Sequence, residues 1–208
     1  RTIRGSRDAR SGKRAARAMP YDDAAPGVYW LRAYNDEGTS SLRPFVVGTL
    51  PEINEKEPNN DYREPQALET TAVIVNGRIN GGGDVDTFAV KLSAGQTLVA
   101  SMTANEVLGS PMDAILEVIS PDGFRLAFNH ATYHLDPQIV FTAPAEGTHL
   151  VRTFAFPATP TQSISLSASA SYVYRLTLTT AAFVDHAFPL AASQQQPTEI
   201  ELRGWNIP

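Results

Sequence analysis

Two stretches of this chain concentrate oxygen-bearing side chains. Glu55-Lys56-Glu57-Pro58-Asn59-Asn60-Asp61 offers Glu55, Glu57, Asn59, Asn60 and Asp61 within one short run. Asp84 and Asp86 stand two apart, directly after Gly81-Gly82-Gly83. A hard cation such as Ca²⁺ takes about six to eight oxygens from carboxylates, amide carbonyls, backbone and water. In extended backbone alternate residues share a side, so Glu55, Glu57 and Asn59 face one way, and Asp84 and Asp86 do the same. The glycine run lets the backbone turn sharply and approach an ion. Taken by chemistry alone the pattern is compatible with a cation site, and equally with solvated acids on loops.

The same residues could also be read as catalytic. Asp84 and Asp86 form a carboxylate pair of the kind glycosidases use, but no aromatic platform for a sugar accompanies them. Trp30 and Trp205 read as anchors of the flanking segments, and Phe88, Met102 and Met112 as core. His130 and His134 are four apart, yet no Glu follows His130 as zinc hydrolases require. His149 and His186 have no such company. Neither a Gly-x-Ser-x-Gly elbow nor a Ser-x-x-Lys set with its companions is present. The expectation is a protein that is not an enzyme.

Composition narrows the class further. The 208 residues suffice for one large or two small domains. The absence of cysteine excludes disulfides, thiolate metal sites and a cysteine nucleophile. No apolar run is long enough for a membrane span. Residues 1–20 are basic, with seven Lys and Arg against Asp8, whereas the remainder is acidic. An acidic body argues against nucleic acid as a partner and suits a cation. The basic segment reads as a solvated tail, a transit-type leader or an arm for an acidic partner. The first residue is Arg1, which reads as a processed, excised or partial chain.

The elements that must position these residues show period-two alternation. Candidate strands are Gly27–Tyr34, Pro44–Gly48, Val73–Ile79, Thr87–Leu92, Thr97–Thr103, Ala114–Ile119, Phe124–Phe128, Gln138–Phe141, Thr148–Phe154, Tyr172–Leu178 and Thr198–Trp205, with a further short one at Ile164–Leu166. Turn signals such as Pro121-Asp122-Gly123 separate them at the spacing of an all-β sandwich or barrel. Leu68–Ala72 is a candidate helical turn. Residues 51–66, rich in Pro and acid, read as a linker or ligand loop, and Pro157–Ser171 as an exposed loop. The expected order is a basic tail over 1–20, the end of a preceding β domain over 21–50, a β-sandwich over 51–180, and a linker with the start of a following β domain over 181–208. The alternative is one larger sandwich to which both flanks add edge strands.

The order of motifs resembles the bacterial pre-peptidase C-terminal domain family. The Glu-x-Glu-Pro-Asn-Asn start is followed by Gly-Asp-Val-Asp-Thr-Phe at 83–88 and Ala94-Gly95-Gln96-Thr97-Leu98. Met112-Asp113-Ala114-Ile115-Leu116, Pro121-Asp122-Gly123, Ile139–His149 and Tyr174-Arg175-Leu176-Thr177-Leu178 continue it, with His149 where a Tyr is common. The likeness covers about residues 52–180. It implies a jelly-roll-like antiparallel β-sandwich with extra flanking strands, similar to the collagen-binding domains of clostridial collagenases. It also implies Ca²⁺ held by Glu55, Glu57, Asn59, Asn60, Asp84 and Asp86. Asn60 stands where those domains have Asp, and the Asp spacing before Thr87-Phe88 is tighter by one. Residues 26–48 and 200–206 look like the end and the start of immunoglobulin-like domains, as in large secreted planctomycete proteins. The implied protein is a noncatalytic accessory module, secreted or at the cell surface. Its partners would be neighbouring domains of the same chain and an extracellular protein or polysaccharide ligand; a carbohydrate-binding module and part of a secreted hydrolase are the alternatives.

Overall fold

The computed structural model describes residues 24–157 and 165–208; the basic tail and Ile164 lie outside them. The chain divides into two units, residues 1–49 and residues 50–208. In the first, β1 (Gly27–Leu31), β2 (Tyr34–Asn35), β3 (Gly38–Thr39) and β4 (Arg43–Val47) form two antiparallel ribbons, β1 with β4 and β2 with β3. Asn35 Oδ1 accepts the Glu37 and Gly38 amides and closes the turn. Trp30, expected as an anchor, is 60% exposed here, because a two-stranded ribbon has no second layer to cover it.

The second unit holds β5 (Glu52–Asn54), β6 (Gln66–Ala67), β7 (Ala72–Arg78), β8 (Asp86–Leu92) and β9 (Thr97–Thr103). The short helix α1 (Asn105–Leu108) is followed by β10 (Met112–Ile119), β11 (Arg125–Asn129), β12 (Gln138–Thr142), β13 (Gly147–Pro157) and β14 (Val173–Thr179). β15 (Phe183–Phe188) and β16 (Glu201–Trp205) end the chain. Two five-stranded sheets run β11-β10-β13-β8-β6 and β12-β9-β14-β7-β5. All long strands pair antiparallel; β5 and β6 join β7 and β8 in parallel. The protein is an all-β sandwich.

Alternation builds the core between the sheets. Phe88, Val90 and Leu92 of β8, Leu116 and Val118 of β10, and Val151 of β13 meet Val73 and Val75 of β7, Leu98, Ala100 and Met102 of β9, and Leu176 and Leu178 of β14. Each such side chain, fully buried, contributes about 1.5–3 kcal/mol. Residues 68–72 form no helical turn, and Ser165 and Leu166 lie outside any strand. The helix α1 instead follows β9, where the remote carboxylate of Asp136 accepts the Asn105 and Glu106 amides and so satisfies its first free N–H groups. The ribbon β15–β16 is tied to the sandwich. Asp185 accepts from Tyr133 Oη (2.6 Å) and Gln138 Nε2 (3.1 Å), and Asn206 Nδ2 donates to Thr97 O (3.0 Å).

Candidate metal centre

The chain leaves β5 beside β7, and the ladder continues one step further as Glu55 N donates to Asn76 O at 2.9 Å. That rung turns the Glu55 carboxylate over β7, where Oε2 accepts Arg78 N at 2.6 Å. Gln66 then clamps the two arms of the loop. Its Oε1 accepts Lys56 N at 2.7 Å and its Nε2 donates to Asn54 O at 3.2 Å. Glu57 precedes Pro58 through a cis peptide, and its Oε2 accepts Asn59 N at 3.2 Å.

On the other side, the glycine run closes a turn in which Asp84 N donates to Gly81 O at 3.1 Å. Asp84 Oδ2 accepts Asn80 N (2.7 Å) and Gly81 N (3.3 Å), and Gly83 takes the left-handed conformation at φ 81°. Asp86 opens β8 on its inward face, fully buried, and its Oδ2 accepts Tyr174 Oη at 2.6 Å. The same hydroxyl lies 3.5 Å from Glu55 Oε2. Tyr174 fits there because residue 77 is glycine: a Cβ at Gly77 would fall on the Tyr174 ring.

All six residues singled out in the sequence come together. Glu57, Asp84 and Asp86 each place a carboxylate oxygen within 4.8 Å of the others, with Glu55 linked through Tyr174. Asn60 Oδ1 accepts Val85 N at 3.4 Å. As placed, this oxygen also lies 3.1 Å from Asp84 Oδ1 and 3.2 Å from Val85 O; a half-turn of the amide converts both contacts to hydrogen bonds. Without a cation the amide nitrogen belongs there; facing a cation, the oxygen does. Asp61 instead accepts Arg63 N at 2.9 Å and turns outward.

The electrostatics call for a compensating positive charge. Among the described residues no Lys, Arg or His pairs with Glu55, Glu57, Asp84 or Asp86. Burial pushes the Asp86 carboxyl up to about 8; the Tyr174 hydrogen bond works against this, and the charges of Glu55 and Asp84 add to it. Burial likewise raises Glu55, against the pull of the Arg78 amide. Tyr174 is raised well above its ordinary value by burial and then by Asp86. Buried polar atoms normally find partners. Here both amide atoms of Asn59, 1% exposed, and Asp86 Oδ1 have none. Oxygen donors, unpaired charge and unsatisfied buried atoms together fit a hard cation. The four histidines join no such cluster among the described residues.

Sequence reasoning missed Tyr174 and Gly77 as parts of this site. The signal was an isolated glycine inside a strand pattern, which marks close approach of another group.

Fold and site thus define an all-β sandwich with a buried, carboxylate-lined candidate cation site. No family model matches the chain, and no curated protein matches it. Among solved structures it is similar to the pre-peptidase C-terminal domain of a collagenase from Bacillus anthracis. That likeness has 11% identity and a TM-score of 0.42, over 60% of this chain and 99% of that one. It is also similar to PliG of Aeromonas hydrophila, a periplasmic inhibitor of g-type lysozyme, at 13% identity and a TM-score of 0.39, over 62% and 96%.

Proposed function

We propose that the second unit is a noncatalytic accessory module of a secreted or surface-attached multidomain protein, with Ca²⁺ as a structural clasp. Glu57, Asp84 and Asp86 would hold the ion, with Glu55, Asn59 and Asn60 completing the oxygen set. The ion would neutralise the converging carboxylates and tie the loop after β5 to the turn before β8. The observation that carries this reading is the pairing of an uncompensated carboxylate cluster with buried Asn59 and Asp86 atoms that lack partners. The module would serve in substrate or surface binding or in spacing neighbouring domains. The first unit would be the end of a preceding immunoglobulin-like domain, and residues 181–208 would lead into a following one.

A ligand binding only the folded state stabilises it by about 2.7 kcal/mol at roughly a hundredfold excess over Kd. Calorimetry should therefore show a melting temperature several degrees higher with Ca²⁺ than with chelator. Identical melts would overturn the proposal. The carbohydrate-binding alternative draws on aromatic residues exposed outside the core, Phe124 and Phe128. Neighbouring rings there are not coplanar, however. Phe154 and Phe156 stand at 85°, and Phe128 and His130 at 50°, so no flat row is offered to a sugar face.

A further inference from the structure

We propose that β11 is the seam of a homodimer, along which a second copy of this chain pairs antiparallel in register about Ala127. The sandwich has four edge strands, β11, β6, β12 and β5. β5 and β6 are only three and two residues long, and β12 is mostly covered. β11 has five residues, with Leu126 44% and Phe128 45% exposed, and Phe124 just before it 72% exposed. An edge strand presents unpaired N–H and C=O groups, and natural proteins blunt such edges with Lys, Pro or exposed charge. Arg125–Asn129 contains neither Lys nor Pro. Its one charge is already engaged: the Arg125 guanidinium reaches Glu117 at 3.3 Å and lies 4.9 Å from the centre of the Phe128 ring.

The residue pattern is self-complementary. Ala127 packs against the core, so Leu126 and Phe128 point to the outer face. A twofold axis through Ala127 keeps each face on its own side. It sets Leu126 opposite Phe128 of the second copy and Arg125 opposite Asn129, so the two Arg125 charges never face each other. Cross-strand apolar pairs of this kind stabilise a sheet, and facing like charges destabilise it. The irregular step against β10 lies at the Arg125 end and leaves Ala127–Asn129 in regular pairing. The result is one continuous sheet across two sandwiches, closed by symmetry.

Sedimentation velocity of the full chain from low to high micromolar concentration tests this. A concentration-dependent dimer is expected, and Leu126→Lys should lose it at the same concentrations with an unchanged thermal melt. Because the chain has no cysteine, register can be read separately. Leu126→Cys chains mixed with Phe128→Cys chains should form mixed disulfide dimers in preference to either variant alone. A monomer at every concentration would overturn the proposal, as would a dimer indifferent to Leu126→Lys or cross-linking that favours like with like. Retention of a purely monomeric chain on a polysaccharide or an unrelated protein would also count against it.

Discussion

Asp86 is the residue on which the candidate centre turns. It is fully buried, its Oδ2 is held by Tyr174, and its Oδ1 has no partner. A carboxyl whose pKa in the folded state lies above its unfolded value favours folding while protonated. That contribution is complete below the ordinary aspartate range and is lost as pH rises towards about 8. Metal-free protein should therefore melt at progressively lower temperature between about pH 4 and pH 8. Ca²⁺ takes the place of the proton, so the melting shift it induces should grow across the same range. Calorimetry with Ca²⁺ or chelator at both ends of the window checks this, and an equal Ca²⁺ shift at each end would refute the exchange. Asp86→Asn mimics the protonated carboxyl. It should hold or raise the melting temperature in chelator near pH 8 and abolish the Ca²⁺ response; a variant that still responds to Ca²⁺ would remove Asp86 from the ligand set.

At the scale of elements, strand β7 carries the site because one of its residues has no side chain. Replacing Gly77 by Ala would drive a methyl group onto the buried Tyr174 ring, which has no free direction to move. Overpacking of this kind costs about 1–3 kcal/mol. Gly77→Ala should lower stability by that amount in denaturant titration and weaken the Ca²⁺ response, since Tyr174 orients Asp86. A neutral Gly77→Ala would show that the ring is not fixed. Period-two alternation made β7 to β10 and β14 readable within a residue or two of their ends, because each buries one face against a facing sheet. β5 and β6 were not readable. They are two or three residues long, sit in a Pro- and acid-rich stretch, and owe their existence to parallel partners far along the chain. β15 was missed for a different reason. Its alternation, Phe183, Asp185 and Ala187 against Val184, His186 and Phe188, places an acid on its covered side, and only the Tyr133 and Gln138 donors explain it. The ligand set was legible because six oxygen-bearing residues fall in two short runs. Tyr174 lies about ninety residues from Asp86, beyond any local pattern.

Across the whole molecule, the centre joins two segments that the sheets alone leave separate. The loop between β5 and β6 leaves one sheet and enters the other, and its acids meet Asp84 and Asp86 from the turn before β8. Gln66 and the Arg78 amide hold the ends of that loop, but Glu57 and Asn59 contribute only a weak local bond between them. Local stability should therefore be lowest here in the absence of Ca²⁺, because like charges converge without a counter-charge while the apolar core stays intact. The loop carries its own reporters, since Lys56 and Arg63 are trypsin sites on exposed residues. In chelator, below the melting temperature, trypsin should cut after Lys56 and Arg63 well before it reaches Lys91 or Arg152 in the sheets. Saturating Ca²⁺ should suppress those two cuts by a larger factor than any other in the second unit. Mass mapping of the first fragments decides the matter. Equal protection of every site would mean that Ca²⁺ acts only through global unfolding, and no protection at Lys56 and Arg63 would mean that the ion does not close this loop.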